Sequence, residues 1–530
     1  MAKNGLVNGL ETPAAKPAGR PPMGSDARAF ASGWAYAPAP ETVKVAIEPR
    51  YGHFIGGRFV EPRDGERLTT INPATEATLS EVAQGSTADV DAAVRAAERA
   101  GPAWAALAPG ERAKYLFRIA RRIQERAREL AVLETLDSGK PIRESRDVDV
   151  PLAAAHFFYY AGWADKLAYA FAGRTARPVG VCGQVIPWNY PLLMAAWKLA
   201  PGLAAGNCCI LKPAETTPLT AIELFKLIAE AGFPPGAAQL LLGPGPTVGH
   251  ALAASHHVDK IAFTGGTVTG RKIMAAATGN IKKVTLELGG KSPCIVFADA
   301  DFDVALEFAM FAIFAGQGEV CSAGSRLLLE RKLADKFLPR LAEACGKIIV
   351  GDGLDPKTEM GPLITPQHLE RVLHYIDVGR EEGARTICGG RRLTDGALAK
   401  GNFVAPTVFV ETRPEMKIVR EEIFGPVQVV QLFDTEEEAL HLANDTIYGL
   451  AGGVFTNDQS KGLRVLRGLR AGITWLNTYH PTFCEAPWGG YKQSGIGREL
   501  GTFGLDAYLE TKQININLAP QRLGWFSGLT

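Results

Sequence analysis

Cys321 stands in the segment GQGEVCSAG, where Gly316, Gly318 and Gly324 keep the neighbouring chain small and open. A thiol with room around it is a candidate nucleophile, because a substrate can reach it. The other seven cysteines lie among apolar strand or helix residues and read as packing. No histidine has a comparable setting: His256, His257, His368 and His374 fall in helical or connecting stretches that read as exposed, which disfavours a cysteine–histidine hydrolase. Glu287 closes the run KVTLELGG and precedes Gly289 and Gly290, which allow a sharp turn. A carboxyl so placed is either a general base with a raised pKa or a strand-end residue paired with a lysine such as Lys291. Asn189, flanked by Trp188 and Tyr190 and bracketed by Pro187 and Pro191, reads two ways as well. It is a rigidly held donor for an oxyanion or an ordinary Asx-turn residue.

A second group of residues suits a nucleotide. Lys212 and Glu215 follow the buried run NCCILKPAE, where the adenosine of a dinucleotide sits in a doubly wound sheet. A carboxylate there accepts ribose hydroxyls; the alternative is a solvated surface pair. Gly243 to Gly249 opens one helix and Phe263-Thr264-Gly265-Gly266-Thr267 opens another. Helix N-termini attract phosphate, and two such turns in successive units favour a dinucleotide site.

These groups need a scaffold, and the chain supplies one. Short apolar runs (GVCGQVIPW, NCCILKPA, AQLLLG, KIAFTGG, KVTLELGG) alternate with helix-length segments, the signature of a parallel sheet covered by helices. A second series, SPCIVF, SRLLLE, KIIVG, VQVVQLF and AGITWLN, predicts another α/β lobe and hence a cleft. Before them, HFIGGRFV predicts a hairpin, Ser86 a helix cap, and residues 108–139 one continuous amphipathic helix stopped by Gly139 and Pro141. A length of 530 residues implies about three to four structural units, and 46% hydrophobic with 21% charged residues excludes global disorder. The formal charge of +1 gives no field for nucleic acid or an anionic membrane. No apolar stretch approaches the roughly 20 residues of a membrane span. Eight sparse cysteines show no CxxC spacing, so neither a disulfide framework nor a metal site is expected, and a cytoplasmic location fits. The first ten residues hold no secretion-signal core.

Seven motifs in order, PWNYP, LKPAE, FTGG, LELGGKSP, GQGEVCSAG, EEIFGPV and GGYKQSGIGRELG, resemble the NAD(P)-dependent aldehyde dehydrogenases over residues 51–511, closest to those acting on betaine aldehyde and aminoaldehydes. The interval of 34 residues from Glu287 to Cys321 matches that family's base-to-nucleophile spacing. The resemblance implies a Rossmann-type parallel-sheet cofactor domain, an α/β catalytic domain and a small β oligomerisation element. It implies Cys321 as nucleophile, Asn189 as oxyanion donor, Glu287 as the base for thioester hydrolysis, and Lys198 with Glu499 as a proton relay. It assigns NAD contacts to Ile186, Trp188, Lys212, Glu215, Gly245, Gly249, Phe263, Gly265, Gly266, Leu288, Glu422 and Phe424. Glu215 opposes a 2′-phosphate, so NAD is expected over NADP. The pocket would take Tyr190, Trp197, Val320, Ser322, Cys484 and Trp488, whose aromatic members suit a cationic aldehyde. Two departures stand out: Gly266 and Val268 replace residues common in the family, and Ala315 replaces an aromatic six positions before the nucleophile.

The resulting division is a flexible arm over residues 1–49, an NAD-binding domain over 50–165 and 179–287, a catalytic domain over 288–484, and oligomerisation strands over 166–178 and 503–518. The segment between Lys166 and Pro178 is shorter than the family's usual hairpin. A homodimer or homotetramer is expected, with the strand near residues 508–517 adding to a partner's sheet. The partners implied are a small aldehyde and NAD.

Overall fold

A computed structural model describes residues 41–171 and 175–525. Most of the expected arm lies outside them. Its last residues, 41–49, are docked: Val43, Val45 and Ile47 pack on the core, and Arg128 donates to the Glu41 carboxylate at 2.7 Å.

The helices that precede the first sheet are α1 (Thr87–Ala106), α2 (Pro109–Glu125), α3 (Ala127–Ser138) and α4 (Val150–Trp163). Ser86 caps α1 as expected, its N–H donating to the Asp89 carboxylate at 2.9 Å. The continuous helix expected over 108–139 is two helices, broken at Arg126 (φ −107°, ψ 21°). The break frees the Arg126 guanidinium to reach Glu129 at 2.8 Å and Glu223 at 3.2 Å.

The hairpin β1 (His53–Ile55) and β2 (Arg58–Val60) turns at Gly56-Gly57. β3 (Thr175–Pro178) stands apart, and β4 (Val181–Val185), β5 (Cys208–Lys212), β6 (Ala238–Leu240), β7 (Lys260–Thr264) and β8 (Lys283–Glu287) form the first sheet. α5 (Pro191–Ala204), α6 (Leu219–Glu230) and α7 (Thr267–Ala276) lie between its strands, and every residue of α5 is buried. The second sheet contains β9 (Pro293–Val296), β10 (Arg326–Glu330), β11 (Arg385–Cys388), β12 (Thr407–Val410), β13 (Val427–Phe433), β14 (Ala451–Phe455) and β15 (Ile473–Leu476). Its interleaved helices include α8 (Phe302–Phe314), α9 (Arg331–Cys345) and α10 (Pro366–Glu381).

β16 (Gly495–Ile496) and β17 (Leu509–Lys512) follow, and Arg50–Tyr51, Thr78–Ala83 and Arg67–Ile71 form a separate three-stranded sheet. The eight-stranded sheet runs β16-β8-β7-β4-β5-β6-β1-β2, parallel from β8 to β6, with antiparallel additions at both edges. The seven-stranded sheet runs β11-β12-β13-β10-β9-β14-β15, parallel except for β11. The two α/β sheets contain the expected runs with one correction, and the second also holds β11, β12 and β14, which the expected series did not include. KIIVG forms no strand: Val350 makes only an isolated bridge to Met360, and the backbone bonds locally instead, Glu359 N–H donating to the Ile349 carbonyl at 2.8 Å and Gly351 N–H to the Met360 carbonyl at 3.1 Å. β17 pairs with β3 in a two-stranded antiparallel sheet, and the apolar residues just beyond it, Ile514, Ile516 and Leu518, are exposed.

Candidate active site

The strand ends of the first sheet open on a cavity of about 1820 Å³, lined on its far side by the second lobe. Asn189, Tyr190, Trp197, Glu287, Leu288, Val320, Cys321, Ser322 and Trp488 all line it, together with Gly265, Gly266, Glu422 and Phe424.

Cys321 follows α8 through a left-handed turn in which Gly316, Gln317 and Gly318 all have positive φ. A side chain at Gly318 would come within 2.2 Å of the Gly425 carbonyl oxygen, so only glycine permits this approach. The same applies across the cleft: a Cβ on Gly290 would come within 2.5 Å of the Cys321 carbonyl. Burial, with Glu422 and Glu287 nearby, pushes the Cys321 thiol up to about 12. Asn189 is not free to turn, since its amide donates to the Glu319 carbonyl at 2.7 Å. That bond fixes the side chain at the cavity wall.

Glu287 ends β8, 5% exposed, with Oε2 lacking a partner, and its carboxyl lies against Gly489. Burial raises its pKa well above the ordinary value, and Glu499 raises it further, while Lys198 and Arg498 oppose. The ordinary strand-end alternative fails, because Lys291 makes no bond to it and has no hydrogen-bond partner of its own. Lys198, on buried α5, is paired with Glu499.

The nucleotide residues lie along the same sheet edge. Lys212 ends β5 and bonds Glu215 at 3.0 Å; Lys212 is buried and Glu215 is not. Ile186 donates to the Lys212 carbonyl at 3.0 Å, and the Trp188 carbonyl accepts from Thr217 at 3.1 Å. Gly245–Gly249 is one π-helical turn, and nothing within 4 Å would meet a side chain at Gly245, Gly249 or Gly266. Gly265 covers the Phe263 ring, and the Leu288 side chain fills the space over Gly270. Glu422 accepts from the Gly290 N–H at 3.0 Å, and burial pushes its carboxyl up to about 7. Phe424 has φ +65° and packs edge-on to Trp188 at 5.3 Å. Open glycine turns, a buried Thr264 hydroxyl without a partner and the Glu422 carboxyl suit a dinucleotide's phosphates and ribose.

Trp197 and Trp488 meet at 5.5 Å, and His156 lies edge-on behind Trp197 at 5.7 Å with both ring nitrogens unpartnered. Tyr190 carries a cation already: Lys140 Nζ lies 4.2 Å from its ring centroid, held by Glu134 and Asp149. Ala315 leaves space where Phe308, Phe311 and Phe314 of α8 form an apolar wall. Cys484 is buried in a turn outside this lining, which corrects its reading as a strand or helix residue and its place in the pocket.

Three cavity residues escaped the sequence reading. His368 begins α10 and is largely buried, its Nε2 2.6 Å from the Phe424 carbonyl. Its reading as exposed is corrected: the helix's apolar face and the Phe424 loop cover it, and no local pattern marks that. Glu144 accepts from the Gly316 N–H at 3.1 Å, and burial pushes it up to about 7. His480, at φ +74°, sits 3.3 Å from the Ser322 hydroxyl. A histidine beside proline just after the apolar run AGITWL was the only available sign.

A parallel-sheet crevice, a cysteine facing a buried carboxyl and a dinucleotide cradle define a cofactor-dependent oxidoreductase. The aldehyde dehydrogenase family profile matches residues 59–514, and the chain belongs to that family. It is 48% identical to the betaine aldehyde dehydrogenase of Bacillus subtilis, over 89% of this chain and 99% of that one. It is 47% identical to acetaldehyde dehydrogenase 2 of Cupriavidus necator, over 90% and 97%. A solved structure of Staphylococcus aureus betaine aldehyde dehydrogenase with NAD⁺ superposes at TM-score 0.87 with 44% identity, covering 90% of this chain and 96% of that chain.

Proposed function

We propose that the protein oxidises an aldehyde, of the betaine aldehyde or aminoaldehyde class, to its carboxylic acid with NAD. The observation that carries this reading is the convergence of Cys321, Asn189 and Glu287 on one cavity that also holds the Glu422 grip. Cys321 attacks the carbonyl carbon, and the oxyanion is met by the Asn189 amide and the Cys321 N–H. NAD, when bound, supplies the acceptor for the hydride expelled from that carbon. The acyl group is left on Cys321 as a thioester. Glu287 removes a proton from the hydrolytic water, and the Lys198–Glu499 pair behind it passes that proton on.

Lys212 and Glu215 would hold the adenosine ribose. Glu307 in the lining, with the faces of Trp197 and Trp488, favours a cationic aldehyde. Lys140 over Tyr190, the gap at Ala315 and the apolar wall of α8 support a second reading, a neutral-aldehyde enzyme. A kcat/KM panel of betaine aldehyde, aminobutyraldehyde, acetaldehyde and hexanal, with NAD and NADP, separates the two. The cationic substrates are expected to lead by about tenfold, with Trp488→Ala erasing most of that lead; equal values for hexanal would overturn the substrate class. Cytoplasmic location and a homo-oligomer assembled through β3, β17 and the apolar segment after it belong to the same reading.

A further inference from the structure

We propose that Glu319 is a positioning residue that locks the nucleophile loop, the oxyanion donor and the cofactor grip into one arrangement, a role that rests on the oxidation proposed above. Its backbone carbonyl accepts from the Asn189 amide at 2.7 Å, and its carboxyl Oε1 accepts from the Ile364 N–H at 3.0 Å. One residue thus holds Asn189 with its main chain and a remote segment with its side chain. That segment, residues 361–368, runs into α10 and carries His368. The His368 Nε2 lies 3.7 Å from the same Glu319 oxygen and 2.6 Å from the Phe424 carbonyl.

Glu319 does not itself line the cavity, so it acts only through the groups it holds. The Asn189 amide nitrogen carries two hydrogens; spending one on the Glu319 carbonyl leaves the other for an oxyanion and fixes its direction. At 3% exposure Glu319 has little water to compete for its bonds, and a buried N–H at Ile364 left without an acceptor would cost free energy. Gln317 repeats the connection, its Oε1 accepting from the Gly361 N–H at 3.3 Å while its own backbone stands at φ +56°. Such a conformation persists only where surrounding contacts offset its strain. Glu144 holds the start of the loop at the Gly316 N–H. Between these ties Gly318 lies against the Gly425 carbonyl, next to Phe424, so a shift of the nucleophile loop is felt by the loop that grips the cofactor.

The test compares Glu319→Ala and Glu319→Gln with the parent, full-length protein. Glutamine keeps an acceptor oxygen within reach of the Ile364 N–H, and alanine removes it. Stopped-flow NADH bursts report acylation of Cys321, and fluorescence titration reports the Kd for NAD. In Glu319→Ala the burst rate should fall by about tenfold or more and the Kd should rise about two- to tenfold, with the aldehyde KM moving less. Glu319→Gln should bring both back to within about threefold of the parent, a rescue that loss of packing alone does not predict. Adding His368→Ala to Glu319→Ala should weaken NAD by less than the product of the two single effects, because both break one connection. Glu319→Met, of similar length and without the carboxyl, takes the place of alanine with the same expectations should the alanine variant not fold. An unchanged burst rate and Kd without the carboxyl, a Glu319→Gln variant as impaired as Glu319→Ala with native near-ultraviolet dichroism, or NAD effects that simply multiply would overturn the proposal. The titration needs no aldehyde, so it decides the role of Glu319 even where the parent makes no NADH from any aldehyde, the result that would sink the oxidation itself.

Discussion

At the residue scale, the buried Glu287 carboxyl sets the pH behaviour. Its pKa is raised by burial, so its base form grows in at higher pH than that of an ordinary carboxyl. Thioester hydrolysis should therefore speed up as pH rises above the ordinary carboxylate range. Glu287→Gln should give a rapid burst of about one NADH per site, followed by turnover slowed roughly 10²- to 10⁴-fold; stopped-flow absorbance at acidic and alkaline pH checks both points. Loss of the burst would place the defect before acylation instead. His368 makes a different claim. Its ring accepts no cationic role, since burial holds its pKa down to about 4, and it serves by bonding the Phe424 carbonyl. His368→Ala should weaken NAD binding by about two- to tenfold, with a smaller change in the KM for aldehyde, as measured by fluorescence titration. The candidate nucleophile and base were legible in sequence because Cys321 alone of the cysteines sits in a glycine-rich loop and Glu287 interrupts an apolar run beside glycines. His368 was not, because a histidine on an amphipathic helix looks the same whether a remote loop covers it or solvent does.

At the element scale, the turn after β8 joins the chemistry to the cofactor grip. A Cβ on Gly289 would stand 2.0 Å from Glu422 Oε2, so the Glu422 carboxyl must move to admit it. Gly289→Ala should displace Glu422 and raise the KM for NAD by at least about tenfold while the protein still folds; circular dichroism with steady-state kinetics tests the pair of outcomes. An unchanged KM would mean that Glu422 does not hold the ribose. The parallel strands were readable from their apolar runs and glycine-rich ends. The division between α2 and α3 was not, because Arg126 carries no breaker chemistry and its conformation is fixed by carboxylates on Glu129 and Glu223. KIIVG erred the other way: its composition suits a strand, but pairing depends on an edge that distant chain must supply.

At the scale of the whole molecule, β17 pairs with β3, while Ile514, Ile516 and Leu518 beyond it lie in solvent within one chain. Alternate apolar positions on an exposed extended segment suit addition to another copy's sheet. A chain ended after Tyr508 should appear as a smaller species by light scattering, with far-ultraviolet dichroism largely kept. An unchanged mass would remove this segment from the assembly.

β16 has a separate consequence. It comes from near the end of the described chain, yet it pairs Gly495 with Glu287 on the edge of a sheet whose other strands precede it by some two hundred residues, and Glu499 follows it to meet Lys198. Competence for turnover is thus expected to come late in folding, because it waits on these long-range contacts. During refolding, recovery of NADH production should trail the return of native tryptophan emission, and a ribosome-bound nascent chain would carry its thiol through synthesis without the means to turn over an aldehyde.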